Sequence, residues 1–366
     1  MNSLKKILEK RILNFGPMSI SDFMIESNQN PNFGYYNTSF PFGKKGDFIT
    51  APEVSQMFGE LIGLWIVDCW QKMGEPKKFN IIELGPGTGI LILDALRAIN
   101  LNQKCKKACN KIYLLEISNK LKKIQKKNLL KKNFNFFNKI EWVNTIEKIE
   151  DSPFVLIANE FFDALPVQQI ELTQKGWRER LINFNNNKKK FYFTLSNHRT
   201  LLEKFLPNLL EENIKIGEIY EVPVQMLVLL NEIFKKISKI KSFILIIDYI
   251  KKETYGSTIK SIKNQKILNP LKHPGLSDMS VNVDFNIIKR ISKNFNLKQH
   301  GPKTQRNFLI KLGILERAKI LNKNAKLKER KNMNSSLDFL INENKMGKIF
   351  QAISLSNCNV KNPDGF

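Results

Sequence analysis

The sequence predicts an α/β fold built on a doubly wound parallel sheet. Short apolar segments of strand length alternate with helical segments from residue 79 onward. Acidic or polar residues directly follow several of the strand-like segments, as expected where parallel strands end at a binding edge. We therefore expect a central sheet with helices on both faces, an N-terminal helical cap, and an α+β insertion between the fourth and fifth strands.

The N-terminal region, residues 1–75, is predicted to form the helical cap and a loop over the site. Apolar residues recur at helical spacing in residues 3–15, and Ser19 is suited to cap a second helix. Asn30–Ala51 is rich in Gly, Pro, Asn and aromatic residues, which predicts a long loop of a kind that is often functional. A long amphipathic helix is expected from about Glu53 to Met73.

The predicted core covers residues 76–165 and 242–311. Its strands are assigned, in chain order, to 79–83, 111–116, 140–143, 154–158 and 242–247, with weaker assignments near 296–299 and 307–311. Residues 166–241 are predicted to form an inserted subdomain on the substrate side, beginning with short antiparallel strands. Residues 253–283 are predicted to form a long loop, and 312–366 a helical tail.

A glycine-rich turn after the first strand is the main sign of a ligand site. Glu83 ends the strand, and Gly85, Gly87 and Gly89 recur at every second position before a helix. Such a turn presents backbone N–H groups at a helix N-terminus, and its spacing is that of neither dinucleotide-binding nor phosphate-binding loops. With Glu116, at the end of the next strand, as an acid for two ribose hydroxyls, the pattern favours S-adenosylmethionine. A plain glycine turn and a surface acid are the alternatives.

Acidic residues after the fourth strand indicate a cationic acceptor. The chain there reads Asn159-Glu160-Phe161-Phe162-Asp163. Carboxylates suit a guanidinium, which stays protonated in proteins and presents its donors in a planar fork. Since methyl transfer is an in-line displacement, aligning one nitrogen supplies much of the rate. We expect Glu160, Asp163 and Asn159 to orient the acceptor, with Asn159 also touching the cofactor; a pair of exposed N-capping acids is the alternative.

A third segment, Gly46–Glu53, precedes the long predicted helix. Thr50 is suited to an N-cap, and Glu53 to the first helical turn. The alternative is a lid in which Asp47, Thr50 and Glu53 close the site, with Thr50 on the cofactor and Glu53 in the catalytic group. Spacing alone does not distinguish these two interpretations.

Composition argues against several classes of protein. The four cysteines and three histidines form no metal-ligand pattern, so we expect neither a metal site nor disulfides. No apolar run approaches the length of a membrane span, and residues 1–12 lack the apolar core of a signal peptide. The net charge of +25 raises the alternative of an RNA methyltransferase. Because the lysines are spread along the chain, we expect no nucleic-acid partner.

Four segments together resemble the MidA family of class I methyltransferases. They are Gly46–Glu60, Glu83–Gly89, Ala158–Val167 and Gly176–Arg180. The resemblance extends from about residue 4 to residue 366 and implies a Rossmann-like class I methyltransferase sheet that uses S-adenosyl-L-methionine.

Two residues depart from the family pattern. Ile250 and Pro223 stand where the family usually has glycine and serine, and both lie outside the glycine turn. They therefore bear on the substrate side more than on cofactor binding.

The family includes the mitochondrial complex I assembly factor with protein-arginine methyltransferase activity. The resemblance therefore implies symmetric dimethylation of an arginine on the 49-kDa-type subunit of NADH:ubiquinone oxidoreductase, in support of assembly of the complex. It fits a cytoplasmic bacterial protein better than an imported precursor, because no transit-like extension precedes Leu4. A non-catalytic assembly factor that binds the cofactor is an alternative, and the sequence is compatible with a monomer or a homodimer.

Overall fold

The structure is a computed structural model that describes residues 3–39, 47, 50–130, 136–207, 214–323, 325–357 and 362–366. The α-helices are α1 (Ser3–Phe15), α2 (Ile20–Gln29), α3 (Tyr35–Thr38), α4 (Ala51–Val54), α5 (Gln56–Lys72), α6 (Ile90–Ile99), α7 (Gln103–Ala108), α8 (Asn119–Leu130), α9 (Val224–Ile237), α10 (Phe285–Asn294), α11 (Gln305–Lys311), α12 (Ile314–Lys323), α13 (Leu327–Ile341) and α14 (Met346–Ile349). The strands are β1 (Met18–Ser19), β2 (Phe79–Leu84), β3 (Cys109–Leu115), β4 (Ile140–Val143), β5 (Phe154–Asn159), β6 (Gln168–Thr173), β7 (Gly176–Asn185), β8 (Lys190–Arg199), β9 (Ile219–Val222), β10 (Ser242–Tyr249), β11 (Lys260–Lys263), β12 (Lys266–Leu268), β13 (Asp278–Ser280), β14 (Lys298–Thr304) and β15 (Phe350–Ser356).

The central sheet has seven strands in the order β14-β15-β10-β5-β2-β3-β4. The strands β10, β5, β2, β3 and β4 are parallel, which confirms the predicted α/β class. β2 and β5 are neighbours, although β3 and β4 lie between them in the chain. In such sheets the ligand crevice forms beyond the carboxyl ends of the strands, at the point where the strand order reverses. The ends of β2 and β5 are therefore where a site is expected.

Each face of the sheet carries its own apolar core. In β5, Val155 and Ile157 face the core that α5 and α6 cover, whereas Leu156 and Ala158 face the core that α9 and α10 cover. Strands buried on both faces read as continuous apolar runs, and this is why the sequence located them so directly.

The C-terminal region differs from the sequence prediction. The predicted helical tail contains α12–α14, but it also contains β15, which runs antiparallel between β10 and β14. Ser354 and Ser356 of this strand are fully buried, so an apolar-run criterion does not detect it. The predicted strand near 307–311 is also wrong: this segment is helical and belongs to α11, which Thr304 caps by accepting from the Asn307 N–H.

The chain leaves the central sheet after β5 and returns at β10. Between them, β6–β9 form a second sheet together with β1. The helices α1 and α2 pack on this second sheet through residues such as Leu8 and Phe23, with the Phe23 ring 5.3 Å from that of Phe191. The helix α5 instead packs on the central sheet. Residues 1–75 are therefore divided between two parts of the molecule and do not form one cap.

Two further segments differ from expectation. The segment 253–283, predicted as a loop, contains the small sheet β12-β11-β13, whose hairpin turns through Asn264 and Gln265, both at positive φ. The long helix expected from Glu53 is two helices, because Ser55 is extended and its hydroxyl caps α5 at the Met57 N–H. Among the described residues, no helix is long and apolar enough to cross a bilayer.

Candidate functional site

The glycine turn between β2 and α6 has a conformation that glycine adopts readily and other residues do not. Gly85 and Gly87 have φ values of +60° and +53°. A Cβ atom on Gly85 would also lie 2.6 Å from Cδ2 of Phe161. The Gly85 N–H donates to the carbonyl oxygen of Leu115 at 3.0 Å, which ties the turn to the end of β3. The positive φ and the lack of room for a Cβ atom together explain why position 85 is a glycine.

A cavity of about 1000 Å³ lies against this turn, at the carboxyl ends of β2, β3 and β5. It brings together six residues that the sequence assigned to the cofactor, Thr50, Glu83, Gly85, Gly87, Glu116 and Asn159, and two that it assigned to the catalytic group, Glu53 and Glu160. Gly89 is not among the lining residues. A Cβ atom on Gly89 would contact Gln125 at 3.4 Å, so this glycine faces α8 and not the cavity. Ile117 lines the cavity and is 55% exposed, which offers an apolar surface to a flat ligand group.

The two predicted cofactor acids lie on this cavity in different surroundings. Glu83 is 3% exposed, burial raises its pKa to about 8, and its Oε2 atom has no hydrogen-bond partner among the described residues. Glu116 is also buried, which raises its pKa, but its carboxylate accepts from the Ser118 N–H at 2.8 Å and from the Gln125 amide at 3.1 Å. One carboxylate oxygen of Glu83 thus lacks a donor among the described residues, whereas hydrogen bonds already hold the Glu116 carboxylate in one orientation.

A second cavity, of about 850 Å³, adjoins the first. Tyr36, Thr50 and Glu160 line both cavities. The second cavity also exposes the carboxyl groups of Asp47, Asp163 and Asp278. The structure therefore places Asp163 in the second cavity and makes Glu160 the acid at the junction.

Burial raises the pKa of three of the acids in the second cavity. It raises the pKa of Glu160 to about 8, that of Asp278 to about 7 and that of Asp163 to about 6. Asp248 lies behind them, and its Oδ2 accepts from the backbone N–H groups of Phe162 and Asp163. A group of buried carboxyls is stabilised in its charged form when a cation enters.

The predicted lid segment makes contacts on both sides of the site. The Ala51 N–H donates to Glu160 Oε1 at 2.9 Å, and the Thr88 hydroxyl donates to Glu53 Oε1 at 2.6 Å. Asp47 accepts from the Tyr35 hydroxyl and from the Asn264 N–H. Thr50 makes no side-chain capping bond, although it precedes α4. Residues 40–46 and 48–49 of this segment lie outside the described residues.

Sequence reasoning missed several residues of the site. Tyr36 donates to Asp278 at 2.6 Å and separates the two cavities, and Tyr249 lines the second one. Gln125 contacts both the glycine turn and Glu116. The family resemblance also takes in two shorter segments, residues 34–36 and 247–249, which contain Tyr36 and Tyr249 and were the only available signal for them. Within the described residues, no group of His, Cys, Asp or Glu side chains is arranged to hold a metal ion.

Comparison with known proteins finds relatives that align with most of the chain. A family model for S-adenosyl-L-methionine-dependent methyltransferases matches residues 61–303. Mitochondrial protein arginine methyltransferase NDUFAF7 of Danio rerio is 33% identical over 97% of this chain and 87% of its own length. The Homo sapiens protein of that name is 30% identical over 94% of this chain and 81% of its own length.

Solved structures share the fold. A Burkholderia thailandensis protein crystallised with S-adenosyl-homocysteine superposes with a TM-score of 0.85 at 20% identity, over 99% of this chain and 94% of that one. A native structure of an uncharacterised protein from the same organism gives a TM-score of 0.84 at 20% identity, over 100% of this chain and 94% of that one. At this identity the match concerns the fold alone.

Proposed function

Because this chain belongs to the MidA-like family of S-adenosyl-L-methionine-dependent methyltransferases, we propose that its acceptor is the guanidinium group of a protein arginine. The observation that carries the proposal is the acid-lined cavity directly beside the cavity of the glycine turn, joined to it at Glu160. The relatives named as protein arginine methyltransferases support the same acceptor.

The first cavity suits S-adenosyl-L-methionine by the chemistry of its donors and acceptors. Glu83 offers an unpartnered, buried carboxylate oxygen, which suits the α-ammonium group of the ligand. Glu116 accepts from the Ser118 N–H and from the Gln125 amide, which hold its carboxylate in an orientation that we assign to the two ribose hydroxyls. We assign the backbone of the turn at Gly85 and Gly87 to the methionine part, and Thr50, Asn159 and Ile117 to the walls, with Gly89 shaping the turn from behind.

The second cavity suits a guanidinium better than a neutral acceptor. Two of its acids, Asp163 and Asp278, are buried and Glu160 is half-buried, and a planar guanidinium has enough donors to bind more than one of them. Asn159 donates to Glu160 Oε1 at 3.1 Å and so helps to fix that carboxylate. Glu53 borders only the first cavity, so we assign it to closure of the cofactor site together with Asp47 on the other side.

The cofactor supplies an electrophilic methyl group on a sulfonium. That methyl group would pass from sulfur to one guanidinium nitrogen, and the same nitrogen would release a proton. The entering cation favours the charged form of Glu160, and this carboxylate, at the junction of the two cavities, is the proposed acceptor of that proton. Asp163 then balances the remaining positive charge. Alignment of the nitrogen by these carboxylates is the main contribution of the protein.

The identity of the acceptor protein rests on the family resemblance. On that basis we propose the 49-kDa-type subunit of respiratory complex I as the substrate, with symmetric dimethylation of one arginine in support of assembly. Because the carboxyl groups of the second cavity lie on its walls, the arginine must be presented on an accessible or unfolded segment to reach them.

The test is methyl transfer from labelled S-adenosyl-L-methionine into lysate of a deletion strain. Wild-type protein is expected to label one protein band, which mass spectrometry assigns to methylated arginine. Glu160→Gln should bind the cofactor with unchanged affinity and transfer no label, whereas Glu147→Gln, a change of the same kind at an exposed position, should behave as wild type. Label recovered in RNA would refute the proposal, and complementation of the deletion by a Glu160→Gln/Asp163→Asn double variant would indicate a non-catalytic role.

A further inference from the structure

Gln125 is a fully buried amide at the back of the cofactor cavity. It lies on α8 and does not line the cavity itself. Its Oε1 accepts from the Trp142 indole N–H at 2.8 Å. Its Nε2 donates to the carbonyl oxygen of Gly87 at 2.9 Å and to Oε2 of Glu116 at 3.1 Å. The oxygen and both amide hydrogens are therefore engaged.

The orientation of this amide is fixed by its partners. The Trp142 indole nitrogen can only donate, so it must face the amide oxygen. The Gly87 carbonyl oxygen and the ionised Glu116 carboxylate can only accept, so they must face the amide nitrogen. A reversed amide would place two donors together at one end and acceptors together at the other. The three contacts thus define one arrangement of the Gln125 side chain.

This arrangement immobilises Glu116. One carboxylate oxygen accepts from the Ser118 backbone and the other accepts from Gln125, so the group is restrained from rotating. The lone pairs that remain free have a fixed direction. Burial raises the pKa of Glu116, and the hydrogen bond from Gln125 opposes that rise because it favours the charged form.

We propose that Gln125 is a positioning residue for S-adenosyl-L-methionine, which holds the Glu116 carboxylate and the glycine turn at a fixed separation so that the ribose and methionine subsites are preformed together. The inference rests on the proposed role of Glu116 as the ribose acid. Without the hydrogen bonds from Gln125 to Glu116 and Gly87, ligand binding must first order the Glu116 carboxylate. The affinity for S-adenosyl-L-methionine then falls by the free-energy cost of that ordering. Trp142 acts through Gln125, because its N–H determines the orientation of the Gln125 amide.

Calorimetry with S-adenosyl-L-methionine tests the inference through a double-mutant cycle. Gln125→Met keeps the length of the side chain and removes its donors, and it should weaken binding about tenfold, the effect of one lost hydrogen bond to a charged group. In a Glu116→Gln background the same change should weaken binding less than about threefold. Asn128→Leu is the matched control: Asn128, also on α8, donates to the Thr88 carbonyl oxygen of the same turn at 2.9 Å without touching Glu116. Its effect should be equal in both backgrounds.

Two further measurements separate positioning from a merely structural role. Gln125→Met should move the pH midpoint of cofactor binding upward, because Glu116 loses a bond that favours its charged form. Trp142→Phe keeps an aromatic side chain and removes the N–H, so it should weaken binding about threefold, and this effect should disappear in the Gln125→Met background. Because Trp142→Phe leaves Gln125 in place, it tests the positioning role of Gln125 even where Gln125→Met lowers the stability of the protein.

Each result that contradicts these expectations refutes a different assignment. Equal effects of Gln125→Met in both backgrounds, or no effect at all, would overturn the role of Gln125 and leave the methyltransferase function standing. Unchanged affinity in Glu116→Gln alone would refute the ribose assignment, and this inference with it. Absence of cofactor binding by the wild-type protein would overturn the cofactor assignment of the whole site.

Discussion

Replacing Glu83 by glutamine should make the cofactor-free protein more stable and its cofactor binding weaker. Glu83 ends β2 on the wall of the first cavity, and burial raises its pKa to about 8 while Oε2 lacks a partner among the described residues. A buried carboxyl of this kind favours its neutral form. Glutamine cannot ionise and has nearly the same shape, so Glu83→Gln measures the free-energy cost of burying the charged Glu83 carboxylate.

The magnitude follows from proton linkage. The folded protein holds the Glu83 proton more tightly than the unfolded chain, whose pKa is the ordinary 4.5. This contribution to stability is fully present below pH 4.5 and is lost as the pH rises through about 8. Each pH unit between these values costs about 1.4 kcal/mol, so the loss at pH 7 is about 3 kcal/mol. Glu83→Gln should therefore gain about 2 kcal/mol at pH 6 and about 4 kcal/mol at pH 8, relative to wild type.

Urea unfolding of both proteins at pH 5, 6, 7 and 8 without cofactor measures this difference, and calorimetry at pH 7 measures the loss of S-adenosyl-L-methionine affinity. The exposed Glu147→Gln, a change of the same kind, provides the control. A stability difference for Glu83→Gln that is flat from pH 5 to 8 would refute the reasoning, because the carboxyl would then not titrate in this range. Unchanged cofactor affinity would show that Glu83 serves no ligand cation.

Three further predictions follow from other parts of the structure. Gly87→Val should abolish cofactor binding in calorimetry, because φ of +53° strains a β-branched residue and its side chain would fill the methionine subsite. The kcat/KM for an arginine peptide should rise up to tenfold per pH unit between pH 6 and 8 as Glu160, with its pKa of about 8, ionises, and Glu160→Gln should remove this dependence along with activity. Lys251→Met should lower the free energy of unfolding by about 3–5 kcal/mol in urea, because it leaves Glu221 buried without the Lys251 ammonium now 2.9 Å away. A Lys251→Met/Glu221→Gln double variant should recover part of that loss, because glutamine removes the charge and keeps an acceptor for the Thr258 N–H.

The parallel sheet and the first cavity were predictable because their signals are local. A buried parallel strand is a short apolar run, and the residue after it lies at the same edge of the sheet as its neighbours. This geometry was enough to bring Glu83, Glu116 and Glu160 to one cavity before any coordinates were known. The assignments of individual residues to cofactor and acceptor stay predictions until the variants are measured.

The second cavity was only partly predictable, since it depends on contacts between distant parts of the chain. Tyr36 and Asp278 meet from segments 242 residues apart. Asp278 belongs to a three-residue strand with no apolar periodicity, so no local pattern marks it. The strand β15 escaped prediction for the same reason. Its serines are buried by neighbouring strands, and that burial leaves no apolar pattern in the sequence of β15.

The place of β15 in the sheet has a consequence for biosynthesis. β10 forms one wall of the second cavity at Tyr249, and it pairs along its length with β15, whose Phe350 ring lies 4.0 Å from that of Tyr249. Until Phe350–Ser356 has emerged from the ribosome, the β10 edge lacks its partner and β14 has no strand to join. A nascent chain therefore has the residues of the glycine turn and its helix long before it has those that complete the sheet beside the second cavity.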